Sequence, residues 1–133
     1  MQSLRVADIL AVRPGHIHEG MNLSFEVRDG IVSHCGETYS EYKLLPNRQK
    51  DSQSILERGG SKNMPATLEG CVVRIADKIA YIGRDIEDAA RAGIMEFEDI
   101  PPDIASALGN TNSQIIQTLV SDIIHNSLNQ DMI

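Results

Sequence analysis

The chain has 133 residues, 41% of them apolar and 4% aromatic with no Trp, and a formal net charge of −7. That length suits one domain with a real core rather than two, and the composition excludes a disordered chain and argues against an aromatic-rich β-sandwich. The acidic balance argues against general affinity for nucleic acid or an anionic membrane surface, because polyanions are repelled unless a basic patch overrides the mean. The only Lys/Arg-rich stretch, Lys43 to Lys62, is interleaved with acids.

Residues 3–12, SLRVADILAV, carry Leu4, Val6, Ile9, Leu10 and Val12 and predict a short helix without a clear N-cap, ended by Pro14 and Gly15. The abrupt start of this pattern is expected of a chain cut upstream. His16 and His18 form a His-x-His pair that could ligate a metal, but no third ligand sits nearby in sequence. Asn22 is expected to cap a second helix with Leu23, Val27 and Ile31 in register, and His34 is expected to meet that helix's terminal carbonyls.

From Gly36 to Ala66 the periodicity fails, and Gly, Pro, Ser and charged residues alternate without pattern. Such a stretch predicts a flexible insertion loop that is a functional lid, an interaction loop or disordered. A short helical turn is expected around Ser54 to Arg58, and mobility around Gly59 and Gly60.

The longest periodic segment follows, TLEGCVVRIADKIAYIGRDIEDAARAG, from Thr67 to Gly93. Leu68, Val72, Ile75, Ile79, Ile82, Ile86, Ala90 and Gly93 recur at steps of three or four and predict one buried face. Thr67 is a suitable N-cap, Glu69 suits the first turn, and Gly93 can end the helix. On the opposite side Arg74, Asp77, Lys78, Tyr81 and Asp85 fall within a sector of roughly 100°. Periodicity alone equally fits an ordinary solvated stripe.

Pro101 and Pro102 suit the start of a short helix over 103–108 closed by Gly109. Asn112 or Ser113 is expected to cap a last helix with an apolar stripe of Ile116, Leu119, Val120, Ile123, Ile124 and Leu128. The predicted architecture is a single all-α domain over 1–133, with about four to five helices and the irregular loop at 36–66. Cys35 and Cys71 lie far apart and outside any metal spacing, so reduced thiols and a cytoplasmic location are expected. No apolar run approaches the roughly 18 residues that span a bilayer.

The strings MNLSFEVRDGIVSH, at 21–34, and TLEGCVVRIADKIAYIGRDIEDAARAGI, at 67–94, resemble the deoxynucleoside triphosphate triphosphohydrolases of the HD superfamily. NSQIIQTLVSDIIHNS, at 112–127, is similar to a further helix of that family, and QSLRV, at 2–6, to the segment just after its Phe-Glu-His-Asn motif. The resemblance implies a partial HD-type domain whose parent enzyme uses a divalent metal, Mg or Mn, to split a deoxynucleoside triphosphate into deoxynucleoside and triphosphate.

That family's metal site consists of a His, a His-Asp dipeptide and a later Asp, and Asp77 matches the last of these. Lys78 and Tyr81 match positions that hold substrate phosphates, and Asp85 matches the position that accepts a hydrogen bond from the sugar 3′-hydroxyl. Arg74 shares only their face. None of the four histidines, His16, His18, His34 and His125, is followed by Asp. Three of the four family ligands would therefore lie outside the chain, and the family also continues past Ile133. Little or no activity is expected of the chain alone. The alternative is a non-catalytic helical module for oligomerisation or protein interaction, and a homo-oligomer is expected because a domain cut at both ends exposes apolar surface.

Overall fold

The computed structural model describes residues 2–15, 20–36, 42–55 and 64–133. Every regular element among them is helical, with no strand. Two compact units are present, one comprising Met1–Arg74 with Asp131–Ile133 and the other Ile75–Gln130. The His16/His18 pair and the expected mobility at Gly59 and Gly60 lie outside the described residues.

In unit one, α1 (Gln2–Arg5) runs into a π-helical turn over Val6–Leu10, closed by the Ala11 N–H donating to Val6 O at 2.7 Å. The helix thus ends before the expected Pro14–Gly15 stop, because Ala11 is already extended (ψ 135°). Helix α2 (Phe25–Ser33) has Ser24 at its N-cap in extended backbone. Asn22 is not the cap: its φ of 50° is left-handed, and a capping residue needs β-region dihedrals. Leu4, Val32 and Ile55 form the buried cluster, with Phe25 and Ile31 packed against it. The Arg28 guanidinium grips Asp8 through Nε to Oδ1 at 3.1 Å and Nη2 to Oδ2 at 2.8 Å, tying α2 to the π turn.

The described part of the irregular stretch is anchored to the rest of unit one. Leu44 is 5% exposed and exchanges two backbone hydrogen bonds with Ile133, at 2.7 and 3.1 Å. The Asn47 N–H donates to Pro65 O at 2.8 Å, and Ile55 is fully buried. A turn over 52–55 is shaped by Asp51, whose Oδ1 accepts from the backbone N–H of Gln53 and Ser54 at 3.1 and 3.0 Å. The rest of the stretch expected as a helical turn, 56–58, lies outside the described residues.

Helix α3 (Leu68–Arg91) matches the expected central helix. Thr67 Oγ1 accepts from the Gly70 N–H at 3.1 Å, as an N-cap should. The helix ends in a Schellman pattern, with Gly93 N–H to Ala90 O at 2.9 Å and Ile94 N–H to Ala89 O at 3.0 Å. Gly93 takes φ 67°, where a Cβ would be strained.

In unit two a 3-10 turn (Phe97–Asp99) precedes α4 (Pro102–Leu108), which is closed by Gly109, and α5 (Asn112–Ser127) follows. Thr111, not Asn112 or Ser113, caps α5; its side chain accepts from the Gln114 N–H at 3.3 Å. Ile79, Ile100 and Ile115 are the buried apolar residues of this unit.

The apolar stripe expected along α3 is only partly buried. Val72 is 47% and Ile82 42% exposed, while Cys71 and Arg74 are fully buried in unit one. On α5, Ile115 takes the buried position, and Val120, Ile124 and Leu128 of the expected stripe are exposed. No helix among the described residues is long and apolar enough to cross a membrane.

Candidate functional site

The four residues Asp77, Lys78, Tyr81 and Asp85 stand on the part of α3 that belongs to unit two. At 1.5 Å rise per residue they extend over about 12 Å of one helical face. Asp77 and Lys78 are half-buried, Asp85 is exposed, and Tyr81 is 59% exposed. None of their side chains makes a hydrogen bond or ion pair with another described residue. Elsewhere on the same helix charges are paired in the ordinary way: Arg84 meets Asp88 at 3.5 Å, and Arg91 meets Asp88 at 3.2 Å.

An open carboxylate, an open ammonium and a phenol within one stripe can together receive a polyanion with hydroxyl groups. A lysine is a compact point charge suited to phosphate, the tyrosyl hydroxyl can donate, and a carboxylate accepts.

Arg74 does not join this stripe. It lies in unit one with 0% exposure, and its Nη1 donates to Ser33 O at 2.9 Å and Cys35 O at 3.1 Å. A guanidinium there satisfies carbonyls left open at the end of α2 and complements the helix dipole.

The surroundings of Arg74 contain a polar cluster that sequence patterns did not suggest. Asp29, 1% exposed, receives the Ala66 N–H at 2.6 Å, the Ser33 hydroxyl at 3.2 Å and an ion pair from Lys50. Lys50 Nζ also donates to Ser33 Oγ at 2.9 Å and to Met64 O at 3.1 Å. The one sequence signal for it is the i,i+4 spacing of Asp29 and Ser33; Lys50 and Met64 come from the patternless stretch. Beside it, burial pushes the Cys71 thiol up from its ordinary range, with Arg74 opposing and Asp29 reinforcing the shift.

His34 fulfils its expected role, its Nδ1 lying 2.7 Å from Ile31 O near the end of α2. Unit one also holds a mostly apolar cavity of about 630 Å³, lined among others by Val27, Gly30, Ile31, His34, Gly70 and Val73. Among the described residues no group of three or more His, Cys, Asp or Glu is placed to hold a metal ion.

No protein-family model matches the chain, and no solved structure does. The curated proteins are informative. The chain is 38% identical over 127 residues to a deoxyguanosinetriphosphate triphosphohydrolase-like protein of Caldanaerobacter subterraneus subsp. tengcongensis, covering 96% of this chain and 29% of that protein. A protein of the same description from Desulfatibacillum aliphaticivorans is 33% identical over 130 residues, with 98% and 32% covered. One from Clostridium perfringens strain SM101 is 40% identical over 109 residues, with 82% and 26% covered. The chain thus spans about a third or less of the length of these relatives. Matched over most of its residues to one segment of such proteins, the chain belongs with the deoxyguanosinetriphosphate triphosphohydrolase-like family.

Proposed function

We propose that this chain forms one wall of the nucleotide site of an HD-type deoxynucleoside triphosphate triphosphohydrolase, and that both units are parts of a single domain of that enzyme. The observation that carries the reading is the stripe of Asp77, Lys78, Tyr81 and Asp85, unpaired among the described residues, in the segment that the triphosphohydrolase-like relatives share. Lys78 and Tyr81 contact the triphosphate, and Asp85 accepts from the sugar hydroxyl. Asp77 supplies one carboxylate ligand to a Mg or Mn site. The described donors do not complete that site, so no catalytic step is assigned to the chain by itself.

The chain alone has little or no turnover on this reading, and a cytoplasmic location goes with a nucleotide substrate. Incubation with dGTP and Mn²⁺ or Mg²⁺, followed by detection of triphosphate, tests the point. No release above background is expected, and robust turnover that Asp77→Ala abolishes would overturn the inactivity.

A second reading, a homo-oligomer built on non-catalytic apolar contacts, is favoured by Ile124 and Leu128, which are 61% and 66% exposed at the end of α5. Light scattering at micromolar concentration should then report more than one copy, and a monomer would remove this reading.

A further inference from the structure

The segment from Tyr42 to Ile55 contains nothing more regular than turns, and most of its side chains are exposed, Tyr42 at 90% and Leu45 at 57% among them. Its anchors are few. Leu44 and Ile55 are buried, Leu44 pairs with Ile133, Asn47 bonds Pro65 O, Lys50 enters the polar cluster, and Arg48 makes an exposed ion pair with Asp131, of the kind that contributes little. Segments with so little buried apolar surface open at lower cost than the core helices.

Lys50 is the buried polar anchor, and it joins three separate parts of unit one. Its ammonium is held at once by Asp29 and Ser33 of α2 and by Met64 O, on the peptide leading into α3. The same Asp29 carboxylate holds the Ala66 N–H. Withdrawing Lys50 therefore leaves Asp29 buried without its cation and weakens the grip on Met64 and Ala66 in the same event, because an uncompensated buried charge is far costlier than the pair. Such shared partners couple the Lys50 anchor to Met64 and Ala66.

We propose that Tyr42–Ile55 is a strap that opens and closes on α2 as one unit, with Lys50 as its clasp, and that opening releases the peptide leading into the start of α3. The test is amide hydrogen exchange on the chain in graded urea, read at four amides bonded outside the helices: Leu44, Asn47, Ala66 and Ile133. They should merge onto one exchange isotherm of lower opening free energy than that of Val32 in α2. Lys50→Met should speed all four by a similar factor, roughly 100-fold, and leave Ile115 in α5 unchanged. Four unrelated isotherms, or exchange of all four only with Val32, would overturn the strap in the unmodified chain, whether or not the variant folds. Acceleration confined to Ala66, or equal at every amide including Ile115, would overturn the role of Lys50.

Discussion

Asp29 and Lys50 form an ion pair inside unit one with 1% and 4% of their side chains exposed. Each is also hydrogen-bonded to a further neighbour, Asp29 by Ala66 N–H and Lys50 to Met64 O, so the pair is satisfied as well as buried. Asp29→Ala should therefore lower unfolding stability by about 3–5 kcal/mol, since it strands the ammonium. Asp29→Leu combined with Lys50→Met should restore most of the loss, because an apolar pair carries no desolvation cost. Urea titrations of the three chains decide it; a single-variant loss under about 1 kcal/mol, the range of exposed pairs, would contradict the assignment.

Gly83 meets Asn112 so closely that a Cβ would stand 1.8 Å from Asn112 Oδ1 and 2.6 Å from its Cγ. Asn112 is itself held by Glu87, Nδ2 to Oε1 at 3.0 Å, and cannot swing aside without breaking that bond. Gly83→Ala gains up to about 1 kcal/mol of helix propensity but forces apart α3 and α5 within unit two at about 1–3 kcal/mol. The net should be destabilising, and thermal melting of Gly83→Ala with and without Asn112→Ala should show the second substitution recovering part of the loss.

Thr111→Ala should cost about 1 kcal/mol by removing the cap of α5, whereas Ser113→Ala should be close to neutral. Far-UV circular dichroism in denaturant compares them directly. Equal losses would return the cap to the position expected from sequence.

The buried Cys71 should resist a thiol reagent such as iodoacetamide at pH 8 while the exposed Cys35 reacts, and both should react in urea. Its raised folded pKa also sets a sign. The unfolded thiol ionises first as pH rises, so this contribution to stability is complete below the unfolded pKa and is lost as pH climbs through the folded one. Stability measured from pH 8 upward should fall more steeply for the native chain than for Cys71→Ala.

Much of this fold was legible in sequence because its signals are local. Thr67, Gly93 and the three-to-four spacing between them bound α3 with no help from tertiary structure, and the Pro101–Gly109 punctuation did the same for α4. The caps of α2 and α5 stand one or two residues from the expected positions because Asn22, Ser24, Thr111 and Asn112 all have capping side chains. Only backbone angles separate them: φ of 50° at Asn22 against extended values at Ser24 and Thr111. Arg74 looks like a surface residue in sequence because charge normally marks the solvated face of a helix, and the carbonyls of Ser33 and Cys35 that receive it are remote in sequence. Lys50 was hidden for the same reason. The stripe of Asp77, Lys78, Tyr81 and Asp85 looks the same as any solvated face in sequence; what distinguishes it is that, among the described residues, its charges have no partner beside an Arg84–Asp88 pair on the same helix.

The proposed nucleotide wall is tested most directly by a chemical-shift titration of the isotopically labelled chain with dGTP in the presence of Mg²⁺. Perturbations should concentrate at Lys78, Tyr81 and Asp85, and Lys78→Ala should weaken them by removing the cation that meets the triphosphate. Saturating perturbations confined to unit one, or none at these three residues at millimolar dGTP, would contradict the assignment of this helix face to the substrate.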